Sequence, residues 1–149
     1  MNELYIPEDL VMTNGLYGGT AKDVIYKVAS SDPSHIHVLS DGTVLKGLYR
    51  LKNLEGAKIE DKGYLRYGCC YINFKDIVPV PLTTEILEKN GWEHQDDVYF
   101  KEYPHRKLVV IDEKAYIINE SCSLFLCKVE FVHQLQHLLF GLGVNEEWL

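Results

Sequence analysis

Two prolines at alternate positions in Ile77-Val78-Pro79-Val80-Pro81-Leu82 constrain this chain more than any other feature. Proline cannot donate to a β-ladder, so the segment can be extended or lie at a sheet edge but cannot run through the middle of a sheet. The strap therefore separates a front half from a back half, and we expect a β-rich, barrel-like subdomain over 1–82 and an α+β subdomain over 83–149, with a single shared core as the alternative.

The front half is built from short β-branched and aromatic runs punctuated by turn residues. Asp23 to Val28 is the first strand, and His35-Ile36-His37-Val38-Leu39, Ser40-Asp41-Gly42, Thr43-Val44-Leu45-Lys46 predicts a hairpin, because Asp-Gly supplies the positive φ that tight connections need. Residues 47–63 look like an irregular connection, and strand character resumes at Tyr64 to Tyr67 and Cys70 to Phe74. So many short strands in so few residues predict a small twisted sheet closing into a barrel-like shape.

Behind the strap, Thr83 has the chemistry of an N-cap and Glu85 lies in the first turn of a short helix that Asn90-Gly91 should end, with Trp92 folding back on Leu87. Strands follow at Val98 to Tyr103, Lys107 to Asp112, Ala115 to Asn119 and Ser123 to Leu126, and from Val129 to Leu142 an apolar arc recurs at helical spacing. The expected order is α-β-β-β-β-α, with an antiparallel meander and a C-terminal helix; the fold class is α+β.

Charge bears on partners. The chain of 149 residues has 15 Lys+Arg and 22 Asp+Glu, a formal net charge of −7. Residues 1–82 carry nine basic and ten acidic side chains, while 83–149 carry six and twelve, so the acidity lies in the back half. Without a basic cluster, duplex nucleic acid is a poor partner. The longest apolar stretches are far shorter than a bilayer span, and Met1 to Asp9 lacks the features of a secretion signal, so a cytoplasmic protein is expected. Cys69-Cys70 and the Cys122, Cys127 pair fit neither zinc-ribbon spacing nor a disulfide framework, and reduced thiols are expected.

Three constellations could carry function. The loop Asn14-Gly15-Leu16-Tyr17-Gly18-Gly19-Thr20-Ala21-Lys22 could offer backbone N–H groups to an anion, although its spacing is not that of a phosphate loop and a strand rather than a helix follows it. Tyrosines interleaved with basic residues in the near-neutral front half could stack a nucleotide or receive a protein. From these two features the candidate binding residues are Tyr17, Gly18, Gly19, Lys22, Tyr26, Tyr49, Arg50 and Tyr67; the alternative is that the tyrosines are ordinary strand residues. On the last helix, Glu130, His133 and His137 fall on one side, away from the apolar arc, where a metal could bind. Gln134 stands where the general base of a metalloprotease helix would be, which excludes that chemistry and leaves rim positions as the structural alternative. No cofactor is called for.

The string Ile77 to Trp92, followed by Val132-His133-Gln134-Leu135-Gln136-His137-Leu138-Leu139-Phe140, resembles small uncharacterised proteins of Bacteroidota and their tailed phages, whose pattern runs roughly "PIPLTEEWLLKFGF … VHQLQNLYFALTGEEL". The likeness covers residues 77–149 in order and spacing, and the front half in general character only. Departures are His137 in place of Asn, and Gly141-Leu142-Gly143-Val144 in place of Ala-Leu-Thr-Gly. The resemblance implies a genomic setting and no chemistry: a phage or mobile-element accessory protein in bacterial cytoplasm. The leading expectation is a non-enzymatic protein that binds a host protein or a small nucleotide signal in an anti-defence or regulatory role. The alternatives are a small metal-dependent hydrolase using Glu130, His133 and His137, and a homo-oligomeric structural protein joined through an exposed Trp148 and Leu149 or through an unpaired strand edge of the meander.

Overall fold

The computed structural model describes residues 5–15, 22–54, 69–73 and 76–149. The chain divides into two compact units, Met1–Val80 and Pro81–Leu149. Each is built on an antiparallel five-stranded sheet, and the second adds two helices.

In the first unit the strands are β1 (Leu10–Thr13), β2 (Tyr26–Val38), β3 (Val44–Asn53), β4 (Cys69–Asn73) and β5 (Ile77–Pro79), in the spatial order β4-β3-β2-β1-β5. The predicted hairpin is the β2–β3 pair. Val38 lies opposite Val44, and of Asp41 and Gly42 only the glycine takes a positive φ, at 87°. The 47–63 connection needs correcting at its start, because β3 runs on to Asn53. Gly47 makes this possible: at φ 88° it absorbs the irregularity where β2 skips from Asp32 to Ile36 in the pairing, a stretch that also holds Pro33 and its missing N–H. Residues 55–68, including the expected Tyr64–Tyr67 strand, lie outside the described residues. No closed barrel is found among the described residues. β4 and β5 are sheet edges, and no ladder among the described residues joins them. β5 takes the edge position that Pro79 requires.

One face of this sheet forms the core. Register places Val11 opposite Tyr26 and Val28 opposite Leu51, and these four pack with Tyr5, Tyr49 and the half-buried Ile77.

The second unit opens with α1 (Thr84–Lys89). Thr83 caps it by accepting from the Ile86 N–H, and Gly91 at φ 85° ends it. The Gly91 N–H bonds Glu88 O and the Trp92 N–H bonds Leu87 O, the paired bonds of a Schellman ending, with Leu87 and Trp92 both buried. The strands β6 (Glu93–Gln95), β7 (Val98–Tyr103), β8 (Arg106–Ile111), β9 (Lys114–Ile118) and β10 (Ser123–Lys128) lie side by side in chain order. The turns explain the sharp reversals. Pro104-His105 links β7 to β8 with His105 at φ 68°, and Asp112-Glu113 links β8 to β9 with both residues at positive φ, the two-residue geometry that matches strand twist.

The last helix, α2 (Val132–Gly141), starts three residues later than the periodicity predicts. Val129 and Glu130 are held in extended backbone pairing, by the Val129 N–H to Glu113 O and by the Leu82 N–H to Glu130 O. Gln134 then caps the helix from inside, its Oε1 accepting from the N–H groups of Glu130 (2.7 Å) and Phe131 (3.1 Å).

Both helices end on cations of the sheet. The Lys101 ammonium donates to Asn90 O at 2.8 Å and the Arg106 guanidinium donates to Leu142 O at 2.8 Å, matching positive charge to the negative ends of the helix dipoles. Lys101 also pairs with Glu146 at 2.9 Å, and the Tyr103 hydroxyl donates to the same carboxylate. Among the described residues no helix is long and apolar enough to cross a membrane.

Candidate functional site

Of the predicted binding residues of the front half, the four that are described, Lys22, Tyr26, Tyr49 and Arg50, do not share one exposed surface. Tyr17, Gly18, Gly19 and Tyr67 lie outside the described residues. Tyr26 and Tyr49 are core residues, 0% and 1% exposed, so neither offers a ring to a ligand. The Tyr49 hydroxyl accepts from the Tyr5 N–H at 3.0 Å, the two rings meet edge to face, and burial pushes the hydroxyl's pKa up. Arg50 is exposed and, as the neighbour of Tyr49 on a strand, points to the opposite face. Lys22 is exposed and forms a bridge with Thr13, and the backbone there packs so closely on Gly15 that a Cβ would sit 2.9 Å from Lys22 N. Gly15 therefore has a structural reason to be glycine.

The helix constellation also differs from expectation. His133 is not at the rim; it is 2% exposed, stacked on Phe131 at 6.0 Å and edge to face with His137 at 5.7 Å. The helix buries Val132, His133, Leu135 and Leu139, an arc rotated toward His133 from the one expected. Glu130 pairs with Lys128 at 2.7 Å. Among the described residues no three His, Cys, Asp or Glu side chains are grouped to hold a metal ion.

The back unit has an open depression lined by Gly91, Glu93, Phe100, Lys101 and Glu102. Its lining cation, Lys101, is already held by Asn90 O and Glu146, and its two carboxylates, Glu93 and Glu102, are exposed. Above Phe100 lies the Lys107 ammonium, 4.2 Å from the ring centroid.

Sequence reasoning missed the feature that stands out on the surface, the outer half of the β2–β3 hairpin. β1 pairs with β2 only at Tyr26 and Lys27, and β4 pairs with β3 only from Leu48 to Lys52, so beyond these points the hairpin is a two-stranded ribbon among the described residues. Val38 and Val44 are directly opposed and Ile36 lies two residues along, so all three share one face, where they are 60%, 60% and 61% exposed. Leu45, on the other face, is buried. The tip is fixed by its own bonds: Leu39 N–H to Thr43 O at 2.8 Å, and Thr43 N–H to the Asp41 carboxylate at 2.9 Å. At roughly 100 Å² of exposed apolar surface each, the three side chains form a patch of about 300 Å², of the size that on monomers often serves a partner. The signal was present in the sequence as β-branched residues at alternate positions on both sides of a turn.

Comparison of this chain with profiles of known families, with curated proteins and with solved structures found no match.

Proposed function

We propose that this chain is a non-enzymatic binding protein, a phage or mobile-element accessory factor of Bacteroidota that works in the bacterial cytoplasm by occupying a host protein in an anti-defence or regulatory role. The observation that carries the reading is the exposed face of Ile36, Val38 and Val44 on a ribbon whose tip is fixed by its pairing and its turn. A protruding ribbon with β-branched aliphatic side chains suits an apolar cleft in a folded partner. About 300 Å² is well below the roughly 800 Å² each partner buries in a flat, stable interface, so the partner has to enclose the ribbon rather than lie against it. Covering the patch is worth on the order of 7 kcal/mol before the costs of association. A protein partner is favoured over a nucleotide because the two described tyrosines of the candidate set are in the core. The metal-dependent hydrolase is not carried forward, since its three residues are not assembled into a ligand set.

The test is a photo-crosslinking residue at position 38, with a matched one at the exposed Lys89 of α1. The expected result is one host protein captured at position 38 and not at 89, and lost when Ile36→Ser and Val44→Ser are combined. Equal capture at both positions, or none, overturns the reading.

A further inference from the structure

One face of the meander is taken up by the helices and the chain that follows them. The Tyr99 and Thr84 hydroxyls share a hydrogen bond, Lys101 donates to Asn90 O, Tyr103 donates to Glu146 and Arg106 donates to Leu142 O. Residues alternate along a strand, so Val98, Phe100 and Glu102 of β7 point to the other face. On that second face a row crosses four strands in register, Phe100, Val109, Tyr116 and Phe125. Tyr116 and Phe125 meet edge to face at 5.6 Å, and Phe125 is 53% exposed.

The β6 end of this row holds the depression lined by Gly91, Glu93, Phe100, Lys101 and Glu102, about 310 Å³ in volume and at the lower end of the size range of ligand sites. Glu93 lies directly opposite Phe100, and Glu102 is two residues further along β7 on the same face, the diagonal relation that sets side chains about 7–8 Å apart. Lys107 lies opposite Glu102, yet its ammonium rests over the Phe100 ring, 4.2 Å from the centroid, and makes no ion pair with that carboxylate. Among the described residues neither Glu93 nor Glu102 has an ion pair or a hydrogen bond, and both are exposed. Lys101 is already held by Asn90 O and Glu146. The depression thus presents two unpaired negative charges at an aromatic ring whose face accepts an ammonium.

We propose that this face of the meander binds a basic segment of a protein partner, with one arginine or lysine side chain seated between Glu93 and Glu102 and an apolar side chain of the same segment on Phe125. The surface is separate from the ribbon, and the inference does not rest on the ribbon reading.

Charge selects the occupant. Residues 83–149 carry twelve acidic and six basic side chains, so the unit attracts cations and repels a polyanion such as a nucleic-acid strand. A guanidinium has donors enough to reach both carboxylates, which favours arginine over lysine. The apolar row favours a polypeptide over a free polyamine, because it continues from Phe100 across three strand spacings of about 4.8 Å to Phe125, roughly 14 Å away. About four extended residues cover that span, so the segment recognised has its cation and its apolar residue four positions apart.

Titration of the isotopically labelled full chain with the peptide acetyl-GRSVSFG-amide, followed by NMR at low ionic strength, tests the proposal. Amide shifts are expected at Glu93, Phe100, Glu102, Tyr116 and Phe125. Glu93→Gln and Glu102→Gln should each weaken binding about threefold and together about tenfold. Phe125→Ser should weaken it about tenfold. All three side chains are exposed, so these variants should keep the parent melting temperature. Absence of binding up to millimolar peptide overturns the inference, as does equal binding of acetyl-GESVSFG-amide or binding that none of the substitutions changes. Spermidine binding as tightly as the peptide overturns the protein assignment in favour of a small-cation site. The same amides shifting with protein concentration alone would give the face to a second copy of this chain, and overturns it equally.

Discussion

Replacing Gly91 with alanine tests the joint between α1 and the sheet. Gly91 sits at φ 85°, where an L-residue pays about 1–2 kcal/mol. The same change stiffens the unfolded chain, which returns about 0.4–1 kcal/mol. The new Cβ would lie 3.2 Å from the Lys101 Nζ, the atom that donates to Asn90 O and pairs with Glu146, so the ammonium must shift and weaken both contacts. Charge-assisted bonds of this sort contribute about 1.5–3 kcal/mol when intact, and a shift of a few tenths of an ångström forfeits a part of that, about 1 kcal/mol. The net expectation is a loss of about 2 kcal/mol. The assay is urea unfolding followed by tryptophan fluorescence. The chain has two tryptophans, Trp92 and Trp148, both buried and both within Pro81–Leu149, so the signal reports on that unit alone. Repeating the substitution in a Lys101→Met background separates the contributions: the loss should fall to about 1 kcal/mol once no ammonium stands in the way. A loss below about 0.5 kcal/mol in the wild-type background refutes the strain argument, and an equal loss in both backgrounds refutes the role given to Lys101.

Two further outcomes follow from the described bonds. Tyr49→Phe removes the acceptor of the buried Tyr5 N–H, so that amide should exchange with solvent about tenfold faster, equivalent to about 1.4 kcal/mol, in hydrogen exchange read by NMR; unchanged protection would refute the bond's importance. Burial, reinforced by the Glu146 carboxylate, pushes the Tyr103 hydroxyl well above its ordinary pKa of 10.0. The folded state therefore holds that proton more tightly, and the associated stability is present below pH 10.0 and declines as pH rises past it. Tyr103→Phe should flatten that alkaline decline in fluorescence-detected unfolding, and an unchanged slope would count against it.

What the sequence made legible was local chemistry. The Thr83 cap, the Gly91 ending with Trp92 folded back, the Asp41-Gly42 turn and the four longer strands of the meander each depend on residues a few positions apart, and the structure has them. β6 escaped because Glu93-His94-Gln95 has no strand propensity of its own; β7 and the positive φ of Asp96 draw it into the ladder. An open Tyr26 and Tyr49 and a rim His133 failed for a shared reason. Which face of an amphipathic element is covered depends on long-range register, and Tyr26, Tyr49 and His133 each have an apolar ring that burial rewards beside a polar atom that invites a functional reading. The exposed ribbon was overlooked for the converse reason: Ile36, Val38 and Val44 look like core residues until one sees that among the described residues no strand reaches that far along the hairpin.

The two cations that receive the helix ends also impose an order of assembly. Lys101 is eleven residues from Asn90, so α1 and the first strands of the meander can lock together as a local event. Arg106 must wait for Leu142, thirty-six residues further along the chain. Hairpin-by-hairpin growth of the meander involves small loops and little closure entropy, whereas seating α2 on Arg106 closes a loop of thirty-six residues. The slow step expected in folding the second unit is thus the docking of its last helix onto a sheet already formed, with Arg106 waiting for its carbonyl.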